Sequence, residues 1–171
     1  MTPGAVPWVP VILALVAAQR LAELALARRN TRVLLAKGGR EVGAGHYPLF
    51  IALHAGWLAA ILLTTPWSRA PAWSLIAVFA VLQMLRVWVI ATLGPYWTTR
   101  VITLDKAPLV RSGPFRLMRH PNYAVVCAEI AVLPLAFGGW LTALVFSLLN
   151  ALLLSHRLRI EGSVLALRKS A

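Results

Sequence analysis

The chain contains five apolar stretches, and most of its charged residues lie between or after them. A helix that crosses a bilayer needs about 20 mainly apolar residues. The apolar stretches are residues 6–27, 47–64, 72–93, 123–137 and 140–155. The last two are short, and only Gly138 and Gly139 separate them, so they fit either a tight helical hairpin or one broken element. We expect an all-α, polytopic membrane bundle with about five transmembrane helices, and four or fewer spans as the alternative.

Composition supports lipid as the solvent of this chain. Hydrophobic residues make up 60% of the 171 residues, and the mean hydropathy is +0.76, which is too apolar for a soluble domain of this size. The chain is short enough for a single domain, residues 1–171. A single cysteine, Cys127, excludes an internal disulfide and a cysteine metal cluster, and it fits best as a small packed residue. The four histidines are scattered, so no metal site is expected.

The net charge of +12 has two possible meanings, nucleic-acid binding or membrane topology. In the five-span arrangement, fourteen of the seventeen Lys and Arg residues fall on one side: five after the first span, five after the third and four in the tail. Arg69 alone lies opposite, while Arg20 and Arg86 fall inside spans. The positive-inside rule then predicts an outside N-terminus and a cytoplasmic C-terminus. The basic excess indicates contact with anionic lipid and argues against nucleic acid as a partner.

Polar residues directly before the fourth apolar stretch form the first candidate site. Arg119, His120, Pro121, Asn122 and Tyr123 bring a cation, an imidazole and a phenol to the membrane boundary, where polar groups are costly unless something binds them. Proline also sets the backbone where the loop becomes a helix. An interfacial histidine that only caps a helix is the alternative for His120.

A second polar cluster follows the fifth apolar stretch. Arg157 and Glu161 are four residues apart and therefore share a helix face. Without other information, an ordinary surface ion pair explains them equally well.

Glu129 lies well inside the fourth apolar stretch, where a carboxylate is either paired or functional. Its structural partners would be Arg86 and Arg20. A further set could line the same cavity, although pairing and helix-end snorkelling explain most of it. That set is Arg20, Glu23, Asn30, Glu41, His46, Tyr47 and His54.

Several soluble enzyme classes lack their motifs here. The chain has no G-x-G-x-x-G, no phosphate-binding loop, no G-x-S-x-G elbow and no H-E-x-x-H.

The stretch from Leu109 to Tyr123, with a helical hairpin and then Arg157 and Glu161, resembles the isoprenylcysteine carboxyl methyltransferase family. The matching pattern reads L-V-x-S-G-P-aromatic-x-x-x-R-H-P-x-Y, followed by R-x-x-x-E. It covers residues 107–165 firmly, and the N-terminal part looks like a bacterial branch of the family.

The resemblance implies a methyltransferase of the bacterial cytoplasmic membrane that uses S-adenosylmethionine in a cytosol-facing pocket. It also implies one residue that faces the acceptor and a set of residues that contact the cofactor. Arg157 would face the polar end of a lipophilic or prenylated acceptor. The implied cofactor-binding residues are Leu109, Val110, Phe115, His120, Pro121, Asn122, Tyr123 and Glu161.

Some positions depart from the family pattern. Ala107 and Pro108 stand where a histidine and a polar residue are common, and Phe115 stands where tyrosine is usual. Glu161 is followed by Gly162, so one carboxylate remains of a common pair.

The acceptor decides whether the reaction needs a base. A carboxylate is already ionised, whereas a phenol with a pKa near 10 needs a base or a field that lowers that pKa. We therefore expect Glu129 to orient or deprotonate the hydroxyl of a long-chain phenol or pyrone, if that is the acceptor. A nicotinamide-dependent lipid reductase and a non-catalytic membrane scaffold are the other classes. The sequence leaves the acceptor and the oligomeric state open.

Overall fold

The computed structural model describes residues 6–104 and 110–170, and for His46 and residues 163–170 it describes the backbone alone. Within these ranges the chain is mainly helical, so the predicted all-α class is confirmed. The helices are α1 (Trp8–Ala36), α2 (Tyr47–Thr64), α3 (Trp73–Leu93), α4 (Pro121–Ala136) and α5 (Trp140–Ser170).

Helix length separates α4 from the other four helices. Four segments in the described part are long and apolar enough to cross a membrane, namely α1, α2, Trp73–Tyr96 and Trp140–Gly162. With 16 residues, α4 is about 24 Å long at a rise of 1.5 Å per residue, less than the roughly 30 Å of a hydrocarbon core. The expected five helices are present, and four of them have the full length of a span.

The C-terminal end of α4 defines one end of the bundle. Its last residues meet the loop between α2 and α3, where the Ala72 amide donates to the Ala136 carbonyl at 2.7 Å and Arg69 Nε donates to the Phe137 carbonyl at 3.2 Å. The start of α1 lies at the same end, since the Val9 amide donates to the Trp67 carbonyl at 3.2 Å. We call this the α2–α3 end, and the opposite one the α3–α4 end.

Two helices extend beyond their apolar stretches. The prediction ended the first span at residue 27 and the fifth at 155, whereas α1 continues to Ala36 and α5 to Ser170. Charged residues can continue a helix once it has left the apolar region, and Arg and Lys are good helix formers. As a result Arg157 and Glu161 lie on α5 and have a fixed relation to the bundle.

A two-stranded antiparallel sheet at the α3–α4 end was not predicted. Strand β1 (Arg40–Val42) pairs with β2 (Val101–Thr103), with Glu41 opposite Ile102. Three-residue strands have too few positions for an alternating pattern to be visible in sequence. The sheet ties the α1–α2 loop to the chain that follows α3.

The apolar core lies toward the α2–α3 end of the bundle. Trp57, Ile61, Ile130 and Leu133 are almost fully buried there together with Val9. Trp57 also donates its indole N–H to the Ile130 carbonyl at 3.1 Å, which fixes α2 against α4. The polar residues of the bundle interior therefore lie between this core and the α3–α4 end.

Candidate active site

The two polar clusters that the sequence singled out meet at the α3–α4 end around one cavity of about 320 Å³. We call it the polar cavity. The chain after α3, the start of α4 and the last described turns of α5 form its walls. Eight residues named from sequence line it: Phe115, Arg119, His120, Pro121, Asn122, Tyr123, Arg157 and Glu161.

Tyr123 links the two charged side chains of α5. Its hydroxyl donates to Glu161 Oε1 and accepts from Arg157 Nε at 2.8 Å, while Arg157 Nε also lies 3.0 Å from Glu161 Oε1. Arg157 Nη1 donates to the Thr99 carbonyl at 2.9 Å. Within the described residues this leaves Arg157 Nη2 without a hydrogen-bond partner, so Arg157 is fixed in position and still has a donor to offer.

His120 stacks on Tyr123, with the ring centroids 5.3 Å apart and the planes 12° from parallel. Its Nδ1 lies 3.9 Å from Glu161 Oε2, so the imidazole borders the carboxylate without a close hydrogen bond. Partial burial lowers the pKa of His120 below its usual 6.5; the Glu161 charge opposes this shift and Arg119 adds to it. His120 is therefore mainly neutral at pH 7.

Local sequence explains how these groups reach the cavity. Pro121 occupies the first position of α4, where its missing N–H costs no helical hydrogen bond. Gly113 has φ of +54°, and a Cβ there would lie 2.7 Å from Thr92 Oγ1. This close approach holds the segment before α4 against the last turns of α3, so α4 begins inside the bundle.

Two of the named residues are not among those that line the polar cavity. Leu109 lies outside the described residues. Val110 is half-buried and does not line the cavity among the residues described. Their contacts with a cofactor stay predictions.

The sequence analysis did not name Trp97, Thr98, Thr99 or Arg100 as site residues. Trp97 and Arg100 line the polar cavity, and Trp97 is only 3% exposed. Asn30 of α1 fixes this segment by donating to the carbonyls of Gly94 and Trp97 at 3.1 and 2.9 Å. The sequence signal was the helix-ending Gly94-Pro95 pair directly before an aromatic and polar stretch.

A second cavity of about 320 Å³ lies deeper, between all five helices, and its walls are mostly apolar. We call it the lipid-side cavity. Leu21, Leu24, Ile51 and Leu58 are among its apolar wall residues. It shares five residues with the polar cavity: Trp97, Thr98, Asn122, Tyr123 and Arg157.

Two polar atoms at this shared boundary have no hydrogen-bond partner in the described structure. They are Trp97 Nε1, a donor, and Asn122 Oδ1, an acceptor, and both are buried. Because unpaired buried polar groups cost free energy, they indicate a place where a ligand completes the hydrogen bonding.

Glu129 lies away from this boundary, in a buried polar cluster. Its Oε2 accepts from Arg20 Nη2 at 2.8 Å and Arg86 Nη1 at 3.1 Å, and its Oε1 accepts from Gln83 Nε2 at 2.8 Å. The carboxylate is 1% exposed and does not line either cavity among the residues described. The two structural partners expected from sequence are thus both in contact with it, while its role as a base stays a prediction.

The secondary set of polar residues divides between several places. Arg20 and Glu23 belong to the buried cluster, where Arg86 donates to both Glu23 oxygens at 2.7 Å. Tyr47 and His54 line the lipid-side cavity. Glu41 pairs with Arg100 across the small sheet at 2.8 Å. The side chain of His46 lies outside the description.

The fold and the site define a polytopic membrane protein with a polar cavity and an apolar cavity that share one wall. A family model, described as the isoprenylcysteine carboxyl methyltransferase family, matches residues 75–167. The chain belongs to this family, which implies a membrane methyltransferase.

Two bacterial relatives match nearly the whole chain. YpbQ of Bacillus subtilis, described as an uncharacterized protein, is 37% identical over 158 residues, covering 90% of this chain and 94% of its own length. An uncharacterized protein of Haemophilus influenzae is 28% identical over 166 residues, covering 93% and 95% of the two chains. No solved structure matches.

Proposed function

We propose that the protein transfers a methyl group from S-adenosylmethionine to an oxygen of a lipophilic acceptor at the membrane boundary. The observation that carries this proposal is the wall shared by the two cavities, where Tyr123 and Arg157 face both. A polar donor and a lipid acceptor can each occupy a suitable environment and still meet there.

The side chains that line the polar cavity match the charged and aromatic groups of S-adenosylmethionine. Glu161 offers negative charge to a cation, Arg119 and Arg100 offer positive charge to a carboxylate, and Phe115 offers an aromatic face. Trp97 Nε1 and Asn122 Oδ1 add one donor and one acceptor that still need partners. Its volume of about 320 Å³ lies within the range of small-molecule sites. When bound, S-adenosylmethionine supplies a methyl group on a positively charged sulfur.

The lipid-side cavity suits an acceptor with a long apolar tail. Its apolar walls bury the tail, and Arg157 Nη2 meets the polar head at the shared wall. An isoprenylcysteine-like carboxylate or the hydroxyl of a long-chain phenol or pyrone fits this arrangement. Arg157 pairs most strongly with an anionic oxygen, so it favours the ionised form of either head.

The chain contributes positioning and exclusion of water. Tyr123 fixes Arg157 and Glu161 relative to each other, so the groups that hold the acceptor and the cofactor cannot move independently. Charges that neutralise each other during the reaction are solvated less strongly in a dry site, which favours transfer. The apolar walls of the lipid-side cavity and the buried indole of Trp97 supply that dryness.

We keep Glu129 as a candidate base only for a hydroxyl acceptor. Each of its oxygens already accepts a hydrogen bond, and it is enclosed in the bundle. Stabilisation of the bundle through Arg20 and Arg86 is therefore the role that its contacts favour.

The proposed location is the bacterial cytoplasmic membrane, with the N-terminus outside, the C-terminus inside and the polar cavity facing the cytoplasm. The asymmetry of the basic residues supports this orientation. Cytoplasmic S-adenosylmethionine would then reach the polar cavity without crossing lipid.

The decisive experiment is to incubate the purified protein with labelled S-adenosylmethionine and bacterial lipid extract, and to identify the labelled product by mass. We expect a methyl ester or a methyl ether of a long-chain lipid. The absence of labelled lipid, together with lipid-dependent oxidation of a nicotinamide cofactor, would instead identify a reductase.

Glu161→Gln tests the cofactor site directly. A hydrogen bond to a charged group contributes about 1.5–3 kcal/mol, so affinity for S-adenosylmethionine should fall roughly 10- to 100-fold. Calorimetric titration measures this affinity, and Arg159→Gln, which removes an exposed charge of the same helix that does not line the polar cavity among the residues described, is the matched control. Equal affinities in Glu161→Gln and the wild type would contradict the assignment of Glu161.

A further inference from the structure

The lipid-side cavity has polar residues at a second level, below the shared wall. Arg20, Glu23, His54 and Arg86 line it there, on α1, α2 and α3. Methyl transfer at Arg157 uses none of them. A cavity for a purely apolar tail needs no charged or hydrogen-bonding groups in its wall, so these residues indicate something more about the ligand.

The depth of this second level follows from α2. The Arg157 guanidinium lies 5.5 Å from the centre of the Phe50 ring. His54 follows Phe50 by four residues, or roughly 6 Å of helix toward the middle of the bundle. The second polar level is therefore about one helical turn deeper than Arg157.

His54 offers a hydrogen-bond acceptor at this level. Its Nδ1 is 2.8 Å from the Phe50 carbonyl, and because a carbonyl can only accept, Nδ1 carries the hydrogen. In the neutral ring Nε2 then has a free lone pair. Nε2 makes no hydrogen bond within the described residues. It is also absent from the buried unpaired atoms of those residues, so it is not closed off from the cavity.

Arg20 offers a donor at the same level. Its two terminal nitrogens are occupied, Nη1 with Glu23 at 3.0 Å and Nη2 with Glu129 at 2.8 Å. Its Nε is buried and has no partner among the described residues. Arg20 and His54 both line the lipid-side cavity, so donor and acceptor belong to the same cavity wall.

We propose that the lipid-side cavity binds a long-chain lipid that carries a hydroxyl group within its chain, about one helical turn beyond its polar head. This rests on the proposed function only in taking the head to be the end at Arg157. A hydroxyl can donate to His54 Nε2, and its oxygen can accept from a donor on the same cavity wall, where Arg20 Nε still lacks a partner among the described residues. A ketone lacks the donor, and a second carboxylate would add charge to a cluster in which two arginines already balance two glutamates.

The test is a binding measurement without S-adenosylmethionine. Palmitate and a positional series of monohydroxypalmitates compete with a fluorescent fatty acid for the purified protein. We expect the hydroxylated acid with the matching position to bind about tenfold more tightly than palmitate, because it completes two hydrogen bonds.

Variants of α2 separate recognition of the hydroxyl from burial of the chain. His54→Leu should abolish the preference, measured as the ratio of the affinity for the hydroxylated acid to that for palmitate, while His54→Gln, which keeps an acceptor, should retain part of it. Leu58→Ala, in the same cavity without a polar group, should weaken all ligands alike and keep the preference. Thermal unfolding of each variant confirms that it is folded.

Equal binding of palmitate and every hydroxylated acid to the wild type would overturn the proposal, as would a preference that His54→Leu retains. A hydroxyl preference without methyl transfer in the lipid-extract assay would uphold this proposal and refute the proposed function. Methyl transfer without any hydroxyl preference would do the reverse.

Discussion

At the scale of single residues, two carboxylates of the same chemistry have different surroundings. Glu129 accepts hydrogen bonds from two arginines and a glutamine and is enclosed, whereas Glu161 borders a cavity and is 18% exposed in its side chain. Environment assigns different tasks to identical groups. Glu129 can stabilise the bundle, while Glu161 remains accessible to a ligand.

Glu129→Gln should lower the free energy of unfolding by about 3–5 kcal/mol, because it leaves Arg20 and Arg86 less well compensated in the interior. Glu41→Gln removes a more exposed ion pair and should cost about 0–1 kcal/mol. Denaturation in detergent measures both values. Should Glu129→Gln lose turnover while its stability and cofactor affinity stay unchanged, the base hypothesis would gain support instead.

His120 predicts a pH dependence of cofactor binding. Its pKa lies below 6.5 in the folded protein, so the imidazole gains a proton only as the pH falls below that value. The added positive charge repels a cationic cofactor, so affinity should decrease on acidification. The unfolded chain binds that proton at higher pH, so stability should also fall below pH 6.5.

Titration of cofactor affinity between pH 7 and pH 5 measures this effect. His120→Gln, which cannot gain the charge, should give a flatter curve than the wild type. Identical curves for the two proteins would assign the pH dependence to another group.

At the scale of helices and loops, the packing of the segment around Gly113 against α3 decides where α4 begins and therefore where the site forms. Gly113 packs beside Thr92 and Trp88 of α3, which lie one and five residues before the end of that helix. Pro121 then starts α4 below the end of the bundle, which accounts for the shortness of α4. Tyr123 consequently contacts α5, and the partly exposed His120 stacks on Tyr123.

Gly113→Ala should disturb this packing, because its φ of +54° disfavours a side chain and the added Cβ would overlap with Thr92. We expect lower thermal stability and at least a tenfold loss of cofactor affinity. Gly162→Ala is the matched control: it lies in α5, and its Cβ would meet no described atom within 4 Å. That variant should be slightly more stable than the wild type, and equal behaviour of the two would contradict the packing argument.

At the scale of the whole molecule, the two cavities meet at the end of the bundle that carries most basic residues. The apolar core fills the other end. The lipid-side cavity therefore reaches the shared wall from the bundle interior, and the polar cavity reaches it from the loops.

Reporter fusions test the orientation of this arrangement. Alkaline phosphatase fused after Arg69 should be active, since it folds only outside the cytoplasm, and a fusion after Ala171 should be inactive. Green fluorescent protein at the same positions should give the opposite pattern. The reverse result would invert the proposed topology and put the polar cavity outside.

Much of the fold and part of the site could be read from sequence. Hydropathy gave the existence and order of five helices, since lipid requires long apolar stretches. The motif from Arg119 to Tyr123 and the Arg157–Glu161 pair drew attention to side chains that do line one cavity. The lengths of α1 and α5 and the small sheet were missed, because charged helix ends and three-residue strands have no hydropathy signal.

What the sequence determined by itself is the membrane class of the chain and the two polar clusters, because bilayer thickness and the cost of buried polar groups act on local stretches. Only the tertiary structure decided which groups share a boundary. Trp97 and His54 gain their significance from segments far apart in sequence. The pairing of Glu129 with Arg20 and Arg86 was predicted from the cost of an unpaired buried charge, and only the structure adds Gln83 as its third partner. Helix packing sets these distances, and no local pattern records it.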